Sequence, residues 1–436
     1  MTMQLPDHGR TWDDVRAELT GMREGDLDWR HGRHGAYVWY ADDDLEHVLR
    51  EAFGMYMVEN GLGMHSFPSI GRMEREVLAM VQSLLWGDAL LWGDALGEAP
   101  GGEASSSVFT SGGTESIFVA MFAAREWARA ERPDVREPEI VAAHSAHPAL
   151  NKAAHLLGMR VRRVPVRADF RADPEAMAAA IGPDTIALYA SAPSYSLGLI
   201  DPVPELGAIA AERGLWLHVD ACVGGILAPA VRQLGYAVPP FDFSVPGVTS
   251  ISADLHKSGY AAKPASTVNF RTKAQRDYAR YRFDDWPSGV YQSYTFTGTR
   301  PGGAIAAAWA GFHYLGQDGY RRIAASAMRA KEAIAAGLAQ IPGVSVFGSP
   351  DLWAFAFGSD DVDIYQVAAL MGERGWLCGP TTSPKGIHMM CTPIHEPIAH
   401  EYVAAIAECI AEARNTAAVA TAGAAPAPEA TEARYN

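Results

Sequence analysis

Cysteine is scarce. The four in this chain of 436 residues, Cys222, Cys378, Cys391 and Cys409, form no C-x-x-C pair, which argues against a disulfide framework and against a cysteine zinc site. Free thiols fit a reducing compartment, so the expected location is cytoplasmic. Basic residues are also in deficit: 36 Lys and Arg stand against 51 Asp and Glu, a net charge of −15. Such a balance argues against a general nucleic-acid surface or attraction to anionic membranes, and any anionic ligand needs a local cationic pocket. Long apolar runs are missing as well. No stretch of 18 apolar residues occurs, and residues 1–35, rich in Asp, Arg and His, lack the apolar centre of a secretory signal. What remains is an ordinary globular composition on a chain long enough to enclose a deep, dry cavity, which makes an enzyme plausible.

The apolar pattern divides the chain. Leu45, Val48, Leu49, Ala52, Phe53 and Tyr56 share a helical face, and a second helical pattern covers 73–85, so residues 1–72 read as a helical approach to a main domain. The hexapeptide Leu-Trp-Gly-Asp-Ala-Leu at 85–90 recurs at 91–96, a local duplication too short for a repeat architecture. From about Ser107, short apolar runs alternate with longer helical patterns, as in a largely parallel sheet with crossover helices. Candidate strands are 139–143, 185–190, 215–219 and 249–253. Each runs straight into polar residues, and in open α/β sheets ligands bind beyond the carboxyl ends of strands, so the four exits are expected to converge. Residues 73–303 are therefore read as the large domain. After Pro301-Gly302-Gly303, a helix with Ile323, Ala327, Ala330, Ile334 and Leu338 on one face precedes strand-like runs 344–347, 352–357 and 387–391, the pattern of a smaller α+β domain over 304–414. The Ala, Thr, Pro and Gly of 415–436 read as a disordered tail.

Several residues carry chemistry. Lys257 follows the strand ending at Ala253, where partial desolvation would lower its pKa and give an amine able to attack an aldehyde; most lysines are merely solvated. Asp220 ends the run Leu215-Trp-Leu-His-Val-Asp and needs a partner if buried. A protonated pyridine nitrogen would serve, whereas a turn or N-cap aspartate is the plainer reading. Thr110-Ser-Gly-Gly-Thr-Glu115 opens a helical run, so its small residues can bring backbone N–H groups onto a phosphate; it lacks the Walker lysine and is not G-x-G-x-x-G. His144 and His147 are spaced H-x-x-H, but no further ligand set accompanies them and no metal is expected. His147 reads either as an imidazole stacked on a flat ring or as a structural histidine.

In order, the motifs S-G-G-T-E-S, S-A-H, H-V-D-A-C-x-G-G and S-A-D-x-H-K resemble those of the fold-type I pyridoxal 5'-phosphate (PLP) enzymes. The resemblance is to the sphingosine-1-phosphate lyase branch of the group II decarboxylase-like family and covers roughly residues 35–414. It implies an aspartate aminotransferase-like α/β fold: a large domain with a mainly parallel seven-stranded sheet, a smaller C-terminal α+β domain and a helical N-terminal segment. By the same resemblance Lys257 is the Schiff-base lysine, Asp220 the partner of the ring nitrogen and His147 the stacking histidine. Gly113, Thr114 and His256 would hold the cofactor phosphate. The family's homodimers share each site across the interface, which implies that Thr299 and the N-terminal segment serve the neighbouring chain.

The implied reaction is retro-aldol cleavage of a phosphorylated long-chain amino alcohol to a fatty aldehyde and phosphoethanolamine. Lys263 matches the family's substrate-phosphate lysine. Asn60 survives from the family's N-P-L-H-P-D-x-F-P, but Gly63 stands at its histidine, with His65 two residues on as a substitute. The family's substrate tyrosine falls on Tyr37 or Tyr40. Ser258, Pro264 and Tyr294 also depart from the pattern, where Tyr, Gly and Pro are usual. An L-amino-acid decarboxylase using the same electron sink is the alternative, and a non-catalytic PLP-binding protein a third reading.

Overall fold

The computed structural model describes residues 4–86 and 106–422, with side chains as far as 416. Three N-terminal helices, α1 (Trp12–Gly21), α2 (Asp43–Met55) and α3 (Pro68–Trp86), lead into the large domain. Its sheet consists of β1 (Ser107–Thr110), β2 (Glu139–Ala143), β3 (Arg160–Val164), β4 (Thr185–Ser191), β5 (Trp216–Asp220), β6 (Ser250–Ala253) and β7 (Ser266–Phe270). The order is β1-β7-β6-β5-β4-β2-β3, and β7 runs antiparallel to both its neighbours while the other pairs are parallel. The expected seven-stranded, mainly parallel sheet is what forms.

Crossover helices α4 (Gly113–Glu131), α5 (Ala149–Leu157), α6 (Pro174–Ala180), α7 (Val203–Arg213) and α8 (Ala228–Gln233) cover it, and α9 (Lys273–Asp277) follows β7. Because side chains alternate across a strand, β4 feeds two cores. Ala187 and Tyr189 join Ile117, Met121 and Leu150 of α4 and α5 on one face. Leu188 and Ala190 join Leu217, Ile251, Leu206 and Ile305 on the other. A sheet buried on both faces fixes its strand ends rigidly, and those ends carry the site.

A two-stranded ribbon, β8 (Tyr281–Phe283) with β9 (Tyr291–Ser293), precedes α10 (Gly302–Leu338), whose helical path breaks at Gly316 (φ 55°, ψ −174°). The small domain carries β10 (Val344–Val346), β11 (Ala354–Ser359), β12 (Gly379–Thr382) and β13 (Lys385–Met390) with α11 (Ile364–Glu373) and α12 (Ala399–Ala422). Its four strands form an antiparallel sheet ordered β10-β11-β13-β12. Helix α12 runs eight residues past the expected end at 414, so the start of the expected tail is helical; the Ala-rich sequence there favours helix. The rest of the tail lies outside the described residues, as does most of the 85–96 duplication.

The two domains meet along a tight seam. Gly198 has φ +73°, and a Cβ there would fall 1.8 Å from the Ala354 carbonyl oxygen, so only glycine permits the approach. Beside it, the Arg171 guanidinium donates to Asp351 Oδ2 at 2.7 Å, and the same oxygen accepts the Ile200 N–H at 2.8 Å.

Candidate active site

The exits of β2, β4, β5 and β6 and the start of α4 enclose a cavity of about 360 Å³. Its walls include Gly113, Thr114, His147, Asp220, His256 and Lys257. Those are six of the residues expected to serve the cofactor, drawn together from four separate stretches of sequence.

Asp220 ends a fully buried strand and is itself 8% exposed. Its Oδ2 accepts the Tyr189 hydroxyl at 2.7 Å, and its Oδ1 accepts the Cys222 N–H at 3.1 Å and the Ser252 hydroxyl at 3.2 Å. Burial alone would raise its pKa, but His147, the Tyr189 hydroxyl, Cys222 and Lys257 together hold it below the ordinary carboxylate value. A charged acceptor therefore stands at the cavity floor. The turn reading of Asp220 is also satisfied, since its bond to the N–H two residues on is an Asx turn.

At the opposite end β1 passes through Ser111 and Gly112 into α4. Gly113 packs so tightly against the chain leaving β5 and β6 that a Cβ would meet Cys222 Sγ at 2.7 Å and Asp254 Oδ2 at 2.9 Å. The first N–H groups of a helix lack intrahelical acceptors and favour an anion, and α4 presents its own to the cavity. Glu115 secures this turn: Oε2 accepts the Ser111 N–H at 2.6 Å, and Oε1 accepts the N–H groups of Phe296 and Thr297 at 2.9 and 3.2 Å.

Two imidazoles complete the wall. His256 Nδ1 accepts the Ala265 N–H at 3.1 Å, and His147 Nδ1 accepts the Ala149 N–H at 3.2 Å. Burial lowers both pKa values, against the neighbouring carboxylates. Each ring is thus neutral near pH 7 with its hydrogen on Nε2, a donor.

Lys257 corrects one expectation. Burial does push its pKa down, but Asp254, with Oδ2 2.9 Å from Nζ, and then Cys222 and Asp220 raise it above the ordinary lysine value. With no cofactor bonded to it, these neighbours favour the ammonium over the free amine. Sequence reasoning quoted Asp254 and Cys222 within their motifs without a task, and missed Tyr189 and Tyr195. The three-residue spacing of Asp254 and Lys257 on one turn was the available signal.

The residues expected to meet the substrate disperse. Lys263 and Tyr40 line a neighbouring cavity of about 540 Å³, walled by Trp39, Leu45, Leu49, Phe53 and Tyr260. Burial and the charge of Lys257 lower the Lys263 pKa. The Tyr40 hydroxyl donates to Asp43 Oδ1 at 2.6 Å, and burial with that carboxylate pushes its pKa up to about 12. Asn60 and Thr299 meet each other, Nδ2 to Oγ1 at 3.3 Å, and neither lines the cofactor cavity. Asn60 Oδ1 instead ties its own turn, accepting the N–H groups of Leu62 and Arg300 at 2.9 and 3.2 Å. His65 and Tyr37 are exposed and line neither cavity. A Cβ placed on Gly63 would come no nearer to a neighbour than 4.0 Å, at the Asn60 carbonyl oxygen, so space for a histidine exists. Ser258 is fully buried, and the Tyr294 hydroxyl donates to Asp277 Oδ1 at 3.0 Å.

A carboxylate floor, a lysine at the wall, a neutral imidazole above and a helix N-terminus for a phosphate fit PLP in charge and size. Comparison with known proteins agrees. The chain matches the pyridoxal-dependent decarboxylase conserved domain over residues 3–350 and belongs to that family, whose cofactor is PLP. Within it the chain is similar to the sphingosine-1-phosphate lyase of rice, 38% identical over 403 residues, 92% of this chain and 72% of that protein. A solved sphingosine-1-phosphate lyase of Burkholderia pseudomallei is 37% identical with a TM-score of 0.89, over 97% of this chain and 95% of the other. Lactobacillus brevis glutamate decarboxylase, at 17% identity and a TM-score of 0.78 over 95% of each chain, shares the fold.

Proposed function

We propose that the protein is a PLP-dependent carbon–carbon lyase. It cleaves a phosphorylated long-chain amino alcohol of the sphingosine-1-phosphate type to a fatty aldehyde and phosphoethanolamine. The observation that carries this reading is Lys263: a cation without a carboxylate partner among the described residues, set on an apolar-walled cavity beside the cofactor cavity. An amphiphilic phosphate monoester suits that combination, and the two lyase relatives support it. When bound, the cofactor supplies an electron sink for the pair released from the broken bond. Asp220 would keep a negative charge at the ring nitrogen, His147 would cover the ring face, and Lys257 would anchor the cofactor. Gly113, Thr114 and His256 grip its phosphate through N–H donors.

The working unit in this reading is a homodimer. Phe296, 68% exposed, and Trp286, Val290 and Tyr291 put apolar surface on the segment leading to Thr299, and an exposed patch of this kind suits a self-complementary interface. Thr299, Asn60, His65 and Tyr37 then serve the site of the neighbouring subunit. Among the described residues no helix is long and apolar enough to cross a membrane; the free thiols of all four cysteines support a cytoplasmic setting.

Purified, PLP-loaded protein should convert sphingosine-1-phosphate to aldehyde and phosphoethanolamine, and should release no carbon dioxide from aromatic or acidic L-amino acids. Carbon dioxide without aldehyde would hand the function to the decarboxylase alternative.

A further inference from the structure

The cofactor cavity contains a second buried carboxylate that the reaction above leaves without a task. Asp254 is fully buried one turn ahead of Lys257, and its Oδ2 stands 2.9 Å from Nζ. The other oxygen is fixed from behind. Oδ1 accepts the Ser266 hydroxyl at 2.5 Å, Ser266 Oγ lies 2.8 Å from Ser116 Oγ, and Ser116 Oγ lies 2.6 Å from Thr110 Oγ1. This buried hydroxyl chain runs from the carboxylate to the first turn of α4. Oδ2 accepts no hydrogen bond among the described residues beyond its ion pair with Lys257, and His256 Nε2 lies 3.8 Å from it.

The other ionisable groups around Nζ are already engaged or of the wrong sign. Asp220 is occupied by Tyr189, Ser252 and the Cys222 N–H. Glu115 of α4 is bound to backbone N–H groups. Burial holds the Cys222 thiol protonated. His147 and His256 are neutral, and Lys263 repels. Asp254 is the counter-ion that remains.

We propose that Asp254 is the positioning residue for Lys257, holding Nζ as an ammonium against the wall between β6 and α4 while the lysine is free of the cofactor and has not yet given up its proton. The inference rests on Lys257 being the cofactor lysine. Its consequence is an order of events. After the aldehyde leaves, the substrate carbon that keeps the bonding pair takes a proton from Nζ: a C–H bond forms, an N–H bond breaks, and a neutral amine is left. Only a neutral Nζ has the lone pair it would need to bond the cofactor again.

The test uses cofactor-free protein, an amine-selective acylating reagent and mass-spectrometric readout at Lys257 from neutral to alkaline pH. An opposite charge this close shifts a pKa by about 1–3 units, so Asp254→Asn should speed labelling near pH 7 by roughly 10- to 1000-fold and move the profile to lower pH. Equal profiles in the wild type and a folded Asp254→Asn variant would overturn the proposal. Should that variant not fold, the wild type alone decides: a Lys257 midpoint below the ~10.4 of a free lysine overturns it, and one above supports it. Borohydride reduction of loaded protein provides the separate check. Cofactor fixed to another lysine would sink the assignment of Lys257, while the labelling result would still report on the pair.

Discussion

The cofactor cavity and the Lys263 cavity share no lining residue, and they are built differently. The first stands at the ends of strands buried on both faces, and its polar atoms are held by other polar atoms: Asp220 by three donors, Asp254 by a hydroxyl chain, Glu115 by backbone. The second is formed by α2, the residues just before it and the stretch that follows Lys257, and its one lysine is exposed. The sheet preorganises the polar atoms of the first cavity, whereas the second takes its shape from a helix and the flanking chain, a division of labour that the proposed cofactor and substrate roles would use.

The sharpest way to break this comparison is Lys257→Ala. A group that both anchors the cofactor and moves a proton should cost at least ~10⁴-fold in turnover, and the visible absorbance of the loaded protein should vanish. A variant that kept its chromophore would place the anchor elsewhere. Next in size is Asp220→Asn, which removes the charge but not the shape of the floor. Turnover should fall roughly 10- to 1000-fold while bound cofactor, measured after denaturation, falls far less. Parallel losses would reduce Asp220 to a structural part. Lys263→Ala belongs to the second cavity. It should cost roughly 10- to 150-fold in kcat/KM on a phosphorylated substrate, the ~1.5–3 kcal/mol of one charge-assisted contact, and little on its dephosphorylated analogue. Equal losses on both would show that the two cavities do not divide the labour in this way.

What the sequence disclosed follows the same division. Strands β2, β4, β5 and β6 are apolar runs that stop at polar residues, so their exits and hence Asp220, His147 and Lys257 were legible. Strands β1 and β7 were not, because they are rich in Ser, Thr and Asn. Their buried polar groups satisfy one another, as where Ser107 Oγ donates to Asn269 Oδ1 at 2.7 Å and Asn269 Nδ2 to Thr267 Oγ1 at 3.0 Å. Edge strand β3, Arg160-Val-Arg-Arg-Val, hides for a similar reason, its arginines lying against Glu139 and backbone carbonyls. The protonation of Lys257 was misjudged because burial can be guessed from one strand, whereas the sign of a neighbour's effect depends on a distance. Asn60 and Thr299, 239 positions apart, become partners only through the fold.

The seam at Gly198 has a mechanical meaning. With the glycine pressed on the Ala354 carbonyl and Arg171 bracing Asp351 beside it, the two lobes cannot slide past each other or part at that edge without steric collision or loss of an ion pair. The Tyr195 ring, three residues before Gly198 and 4.7 Å from the His388 ring of β13, lines the cofactor cavity beside this seam, so a side chain that wedged the seam apart would also shift the cavity wall.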